Sequence, residues 1–98
     1  MLLEHRPVSR KTPLDGKLEI SAAAAERLAP LGAEFPLGSA GREGRGRLQS
    51  LPCTCAKGAD GGHVHHFVES PLLRELAPGT EVRVELDEAQ VKVRVEPA

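Results

Sequence analysis

Residues 18–37 read LEISAAAAERLAPLGAEFPL and residues 67–86 read FVESPLLRELAPGTEVRVEL, so two stretches of this 98-residue chain repeat one pattern. Each stretch predicts a strand, a serine N-cap, a short helix that ends near Leu-Ala-Pro, a glycine turn and a second strand. A duplicated unit of this kind buries its apolar face by closing on its copy. The repeat therefore predicts a mainly β fold, a small pseudo-duplicated β-barrel with two short helices.

The last part of the chain predicts a β-hairpin. Residues 81–86 alternate apolar and charged side chains, residues 87–90 form a polar turn, and residues 91–95 alternate again. The apolar face of each strand is expected to meet the core. These positions are Val82, Val84, Leu86, Val91, Val93 and Val95. Residues 17–96 are thus predicted to form a single β-barrel domain.

A basic N-terminal arm is predicted for residues 1–16, which are polar and contain Pro7 and Pro13. Such a terminus is typically mobile or loosely docked. Its cations Arg6, Arg10 and Lys11 suggest the alternative that the arm contacts phosphates.

A flexible loop is predicted for residues 38–47, which read GSAGREGRGR and contain Arg42, Arg45 and Arg47. Guanidinium groups suit phosphate oxygens and guanine edges, and glycines let the backbone approach a ligand closely. The alternative is a solvent-exposed loop whose charged side chains bind no ligand. Because neither the Gly-x-Gly-x-x-Gly nor the Walker spacing is present, a phosphate cradle of those kinds is not predicted.

Both cysteines and three of the four histidines lie in residues 53–66, which read CTCAKGADGGHVHH. In an antiparallel hairpin, Cys53 would lie opposite His65, and Cys55 opposite His63, with all four side chains on one face. Two thiolates and two imidazoles complete a tetrahedral structural Zn²⁺ site. The sequence therefore predicts a zinc-binding Cys/His hairpin, with His66 pointing to the opposite face.

Other interpretations of this hairpin stay open. The Cys-x-Cys spacing is tighter than the usual Cys-x₂₋₄-Cys, so the residues could also be unpaired structural groups or a redox pair. The spacing His63-x-His65-x₃-Glu69 resembles the first metal-binding motif of cupins. That resemblance implies a small metalloenzyme in which His63, His65 and Glu69 hold the ion.

Composition limits the function classes. The formal net charge of −1 argues against a protein that coats nucleic acid by bulk attraction. Residues 1–50 carry eight Lys and Arg against six Asp and Glu, so any basic face belongs to that half. The chain has no Asn and many Arg, Glu, Pro and Ala residues, a bias compatible with a thermophilic source. Without an apolar span or a signal peptide, a cytoplasmic protein without a membrane partner is predicted.

The repeated strand, short helix, Pro/Gly turn and strand resemble the AbrB-like swapped-hairpin and DNA-binding pseudobarrel families. That resemblance implies DNA binding through basic loops and strands. Carried onto this chain, it implicates Arg42, Arg45 and Arg47, together with Arg6, Arg10 and Lys11. The first hypothesis is thus a non-enzymatic, zinc-stabilised nucleic-acid-binding module. The second is an accessory domain that docks on a protein partner or on a second copy through a strand edge.

Overall fold

In the computed structural model, which describes residues 1–52 and 64–98, the chain forms a nearly closed, barrel-like sheet of seven strands with two short helices. The predicted fold class is confirmed. The strands are β1 Leu2–Pro7, β2 Lys17–Ile20, β3 Glu34–Ser39, β4 Arg42–Pro52, β5 Val64–Glu69, β6 Glu81–Asp87 and β7 Lys92–Pro97. The helices are α1 Thr12–Asp15 and α2 Ala22–Leu28, and 3₁₀ turns cover Ala29–Leu31 and Pro71–Glu75. No helix within the described ranges has the length and apolar character needed to cross a membrane.

The strand order is β1-β6-β7-β3-β4-β5-β2, and every pairing is antiparallel except the parallel pair β3–β7. β1 and β2 are therefore the two edges of the sheet. A carboxylate links the edges, because Glu4 on β1 accepts a hydrogen bond of 3.2 Å from the backbone N–H of Ser21, just after β2.

Both copies of the sequence repeat keep the predicted order of strand, serine cap, helical turn and strand, but the helical turn of the second copy, Pro71–Glu75, is 3₁₀ rather than α. Ser21 caps α2 by accepting a hydrogen bond from the Ala24 N–H at 3.1 Å, and Ser70 accepts one from the Leu72 N–H at 3.3 Å. The first strands of the two copies, β2 and β5, pair with each other. Their second strands, β3 and β6, each begin a hairpin, with β4 and β7 respectively. The two hairpins then join through β3 and β7.

The core consists mainly of aliphatic side chains from the inner face of the sheet and from α2. Phe35 is its largest member and is 1% exposed. Leu18, Leu28, Leu37, Val68, Leu73, Val82, Val84, Val93 and Val95 are also fully buried. Val91 was expected in this core but is 50% exposed. It lies in the β6–β7 turn with a φ of +52°, so the alternation of inward and outward side chains along β7 begins only at Lys92.

Residues 1–16 differ from the predicted arm because they are part of the barrel. β1 pairs with β6 along its length, and Val8 and Thr12 are buried. The Thr12 hydroxyl donates a 2.8 Å hydrogen bond to the Lys17 carbonyl, which ties α1 to the start of β2. Without β1, the backbone N–H and C=O groups along one edge of β6 would lack hydrogen-bond partners. Pairing with β1 supplies those partners.

Residues 38–47 were expected to be a flexible loop, but they form most of the β3–β4 hairpin. Its two-residue turn, Ala40-Gly41, has positive φ at both positions, as a tight hairpin requires. Gly44 and Gly46 face inward, and a Cβ on Gly46 would lie 2.7 Å from the Leu37 side chain. These glycines therefore allow close packing over the core rather than loop mobility.

Candidate nucleic-acid interface

Odd-numbered residues of β4, β5 and β2 form an outer face crossed by a row of alternating charges. Lys17 on β2 pairs with Glu69 on β5, which pairs with Arg47 on β4. Arg47 in turn pairs with Glu34 on β3. Arg47 donates a 2.5 Å hydrogen bond from Nε to Glu69 Oε1. Of these neighbours, Arg47 and Glu69 are in ionic contact, which favours the register of β4 against β5.

The structure divides the three arginines that were grouped in the sequence. Arg45 and Arg47 lie on the outer face, where Arg45 Nε donates a 3.2 Å hydrogen bond to Glu34 Oε1. Arg42 pairs with the buried Ser39, so its side chain begins on the inner side of the hairpin. It forms an ion pair with Glu75. Strand alternation separates Arg42 from the other two.

A depression on one side of the charged row is called here the arginine pocket. It has a volume of about 300 Å³. Its walls are Glu34, Arg45, Gly46, Arg47, Glu69, Ser70, Pro71 and Arg74. Arg74 comes from the 3₁₀ turn after β5, and in the described part of the chain no carboxylate oxygen lies within 4.0 Å of its guanidinium.

A larger depression, called here the groove, lies on the other side of the row, between residues 9–17 and the outer face. Its volume is about 580 Å³. The residues that line it are Ser9, Arg10, Lys11, Asp15, Lys17, Glu19, Leu51, His65 and Phe67. Because Lys17 belongs to both the groove and the charged row, the two depressions adjoin.

The cations and carboxylates of the groove differ in their contacts. Within residues 1–52 and 64–98, Arg10, Lys11 and Lys17 have no carboxylate oxygen within 4.0 Å of their side-chain nitrogens. Asp15 accepts a 3.0 Å hydrogen bond from the backbone N–H of Lys17. Glu19 Oε2 lies 2.6 Å from His65 Nδ1. The carboxylates are therefore engaged within the protein, while the cations are available to an anion.

The two depressions concentrate positive charge. Among the residues that line them are six Lys or Arg and four Asp or Glu. The whole chain has 13 Lys or Arg and 14 Asp or Glu, so acidic residues outnumber basic ones in the rest of the sequence. The cations come from three separate parts of the sequence. They are Arg10, Lys11 and Lys17, then Arg45 and Arg47, and finally Arg74.

Arg6, the remaining cation predicted to bind nucleic acid, lies away from this face. It pairs with the buried Val82, so its side chain begins on the inner side of β1. Its Nε lies 3.0 Å from Glu4 Oε2, and the same carboxylate binds the Ser21 N–H. Arg6 therefore supports the contact that links the two edges of the sheet.

Of the four predicted zinc ligands, Cys53, Cys55 and His63 lie outside the described residues. His65 lies in the groove, but the predicted register is wrong there, since His65 pairs with Leu51 rather than with Cys53. A shift of two residues leaves His65 on its predicted face. Among residues 1–52 and 64–98, no group of three or more His, Cys, Asp or Glu is arranged to hold a metal.

The contact between His65 and Glu19 fixes the imidazole tautomer. A carboxylate accepts hydrogen bonds, so Nδ1 donates the proton and the lone pair of the neutral ring lies on Nε2. Metal-binding histidines commonly have such a carboxylate partner on the other ring nitrogen. His65 thus has the carboxylate partner that metal-binding histidines commonly have.

His66 and Glu69 have other partners. His66 faces away from His65, as predicted, and its Nδ1 lies 2.8 Å from Ser50 Oγ beside α2. Glu69 pairs with Arg47. Four residues of strand separate the Cα atoms of His65 and Glu69 by about 13 Å. The two described members of the cupin-like set therefore do not converge.

Lys17, Arg74 and Phe67 belong to this face but were not predicted as binding residues. Phe67 has the same strand parity as His65, which was a usable signal in the sequence. Lys17 and Arg74 carried no such signal, because their positions depend on how β2 and the turn after β5 pack.

Comparison of the chain with protein-family models, with curated proteins and with solved structures gave no match.

Proposed function

We propose that this protein is a non-enzymatic nucleic-acid-binding module whose binding surface is the outer face formed by the groove and the arginine pocket. The observation that carries the proposal is the convergence of six cations from three distant segments onto this face. Among them, Arg10, Lys11, Arg45 and Arg47 are residues for which the sequence already predicted phosphate contact.

The ion pairs on this face are compatible with phosphate binding. Arg45 and Glu34 are each 62% exposed, and Arg47 is 56% exposed. Exposed pairs such as Arg45–Glu34 contribute only about 0–1 kcal/mol to stability, whereas Glu69 beside Arg47 is 24% exposed. Replacing the Glu34 carboxylate by a phosphate oxygen therefore costs little, and it retains the charge-assisted hydrogen bonds of the guanidinium group.

The proposal predicts strongly salt-dependent binding of nucleic acid. Counterion release lowers affinity for single strands with a slope of about 0.7 per phosphate contact, so four contacts give about a 50-fold loss from about 50 to about 200 mM salt. Fluorescence anisotropy with labelled single-stranded and duplex oligonucleotides measures this. Absence of binding to both at the lower salt concentration would contradict the proposal.

We also propose that Cys53, Cys55, His63 and His65 hold one structural Zn²⁺. The Glu19–His65 contact supports this role for His65. Elemental analysis of the purified protein is expected to show about one zinc per chain, and Cys53→Ser is expected to lose the metal and lower the melting temperature. Glu19→Gln should weaken zinc affinity by about 10- to 100-fold without removing a ligand. A metal-free protein of unchanged stability would contradict the site.

A protein-interaction domain is the second candidate, and one observation favours it. Arg42, Arg45 and Arg47 each pair with a carboxylate, as expected of arginines that only solvate a surface. Such a domain would dock on a protein partner or on a second copy through the β1 or β2 edge. A stable dimer in sedimentation, together with no nucleic-acid binding, would support it. Under either candidate, we propose the cytoplasm as the location.

A further inference from the structure

We infer that the groove holds one unpaired base of a single-stranded nucleic acid, with the Phe67 ring as its stacking surface. This inference rests on the proposed function and specifies its ligand class. The observation behind it is that the groove combines an aromatic and apolar strand surface with a rim of cations that have no carboxylate partner within residues 1–52 and 64–98.

The strand surface that lines the groove carries aromatic and apolar side chains beside Glu19, which is the cross-strand neighbour of Phe67. Phe67 and Leu51 line the groove together with His65. The His65 and Phe67 ring centroids are 6.4 Å apart with the planes tilted by 43°, so the two rings are not stacked on each other. The other phenylalanine, Phe35, is buried in the core. Phe67 is therefore the aromatic side chain that this protein presents at an outer strand position.

The rim supplies the complementary charge. Arg10 and Lys11 lie on the segment that borders the groove, and Lys17 lies at the junction with the charged row. A nucleotide offers a planar ring to this strand surface and a phosphate to the rim. Aromatic surfaces flanked by basic side chains are how proteins bind single strands without reading sequence.

A duplex fits this arrangement poorly. A base inside a duplex is stacked on both faces, so its ring is not available to Phe67. Single strands expose the base faces and can turn one base outward. The volume of about 580 Å³ and the wall formed by residues 9–17 also favour one nucleotide over a double helix.

The experiment compares Phe67→Leu, Phe67→Tyr and the unmodified protein by anisotropy, using a single-stranded deoxyribo-oligonucleotide, its ribo counterpart and the matching duplex. Leucine keeps an apolar side chain but removes the ring, whereas tyrosine keeps the ring. Phe67→Leu is expected to weaken single-strand binding on the order of 5- to 150-fold with an unchanged salt slope. Phe67→Tyr is expected to bind like the unmodified protein. Melting temperatures verify that both variants fold.

The outcomes separate this inference from the proposed function. Single-strand affinity that falls in Phe67→Leu and is retained in Phe67→Tyr, on either sugar, supports the inference. Equal affinity for duplex and single strand, or a Phe67→Leu variant that binds normally, would overturn it while leaving the proposed function standing. Absence of binding to every oligonucleotide at low salt would overturn both.

Discussion

The double variant Arg10→Glu/Lys11→Glu is expected to lose at least about 100-fold in nucleic-acid affinity. Both side chains border the groove, and neither has a carboxylate partner among the described residues. Hydrogen bonds to charged groups contribute about 1.5–3 kcal/mol each, so the loss of two accounts for this effect before repulsion is counted. The salt slope for single strands should also fall by about 1.4, which corresponds to two phosphate contacts.

Folding should be nearly unaffected by this variant, because residues 9–12 are held by backbone groups and by the Ser9 and Thr12 side chains. Surface changes of this kind typically alter stability by less than about 0.5 kcal/mol. Arg27→Glu/Arg83→Glu is the matched control, since it changes the net charge equally at residues that line neither depression. Equal losses of affinity in the two double variants would show that net charge, not this face, governs binding.

Phe35→Ala is expected to produce the largest loss of stability. Phe35 is the largest side chain in the core, where it lies on β3 close to Gly46. Truncation of a buried phenylalanine to alanine costs about 3–5 kcal/mol, because transfer free energy is lost and a cavity remains. A domain of this size typically has about 5–15 kcal/mol of stability, so much of it would disappear.

The same truncation at Phe67 provides the comparison. Phe67 keeps some solvent exposure on the outer face, so Phe67→Ala should cost less, about 1–2.5 kcal/mol. Urea denaturation of both variants measures the difference in the free energy of unfolding. If the two substitutions proved equally destabilising, the assignment of Phe35 to the core and of Phe67 to the surface would be wrong.

Some features of the fold could be predicted because they depend on neighbouring residues. Ser21 and Ser70 cap their helical turns through backbone N–H groups two or three residues away. The alternation in residues 81–86 likewise identified β6 and its buried face. In both cases the deciding contacts or periodicity lie within one short segment.

Other features could not be predicted because they depend on distant segments. The glycines of β4 were interpreted as loop residues. Gly46 instead lies where the Leu37 and Phe35 side chains leave no room for a Cβ atom. The proline-containing N-terminus was interpreted as an arm, although β1 pairs with β6, about eighty residues later in the chain. At His65, the register is set by continuous β4–β5 pairing rather than by the spacing of cysteines and histidines. The zinc site, the DNA-binding resemblance and the thermophilic source stay predictions.

Local sequence was sufficient for the repeat, the helix caps and the division of most strands into inner and outer faces, because capping and alternation act over a few residues. It was not sufficient for the candidate interface. Lys11, Arg47 and Arg74 share one face only because β2, β5 and β4 pair in a particular register and the segments before β2 and after β5 pack beside them. Those pairings are contacts between distant residues, and the folded barrel establishes them.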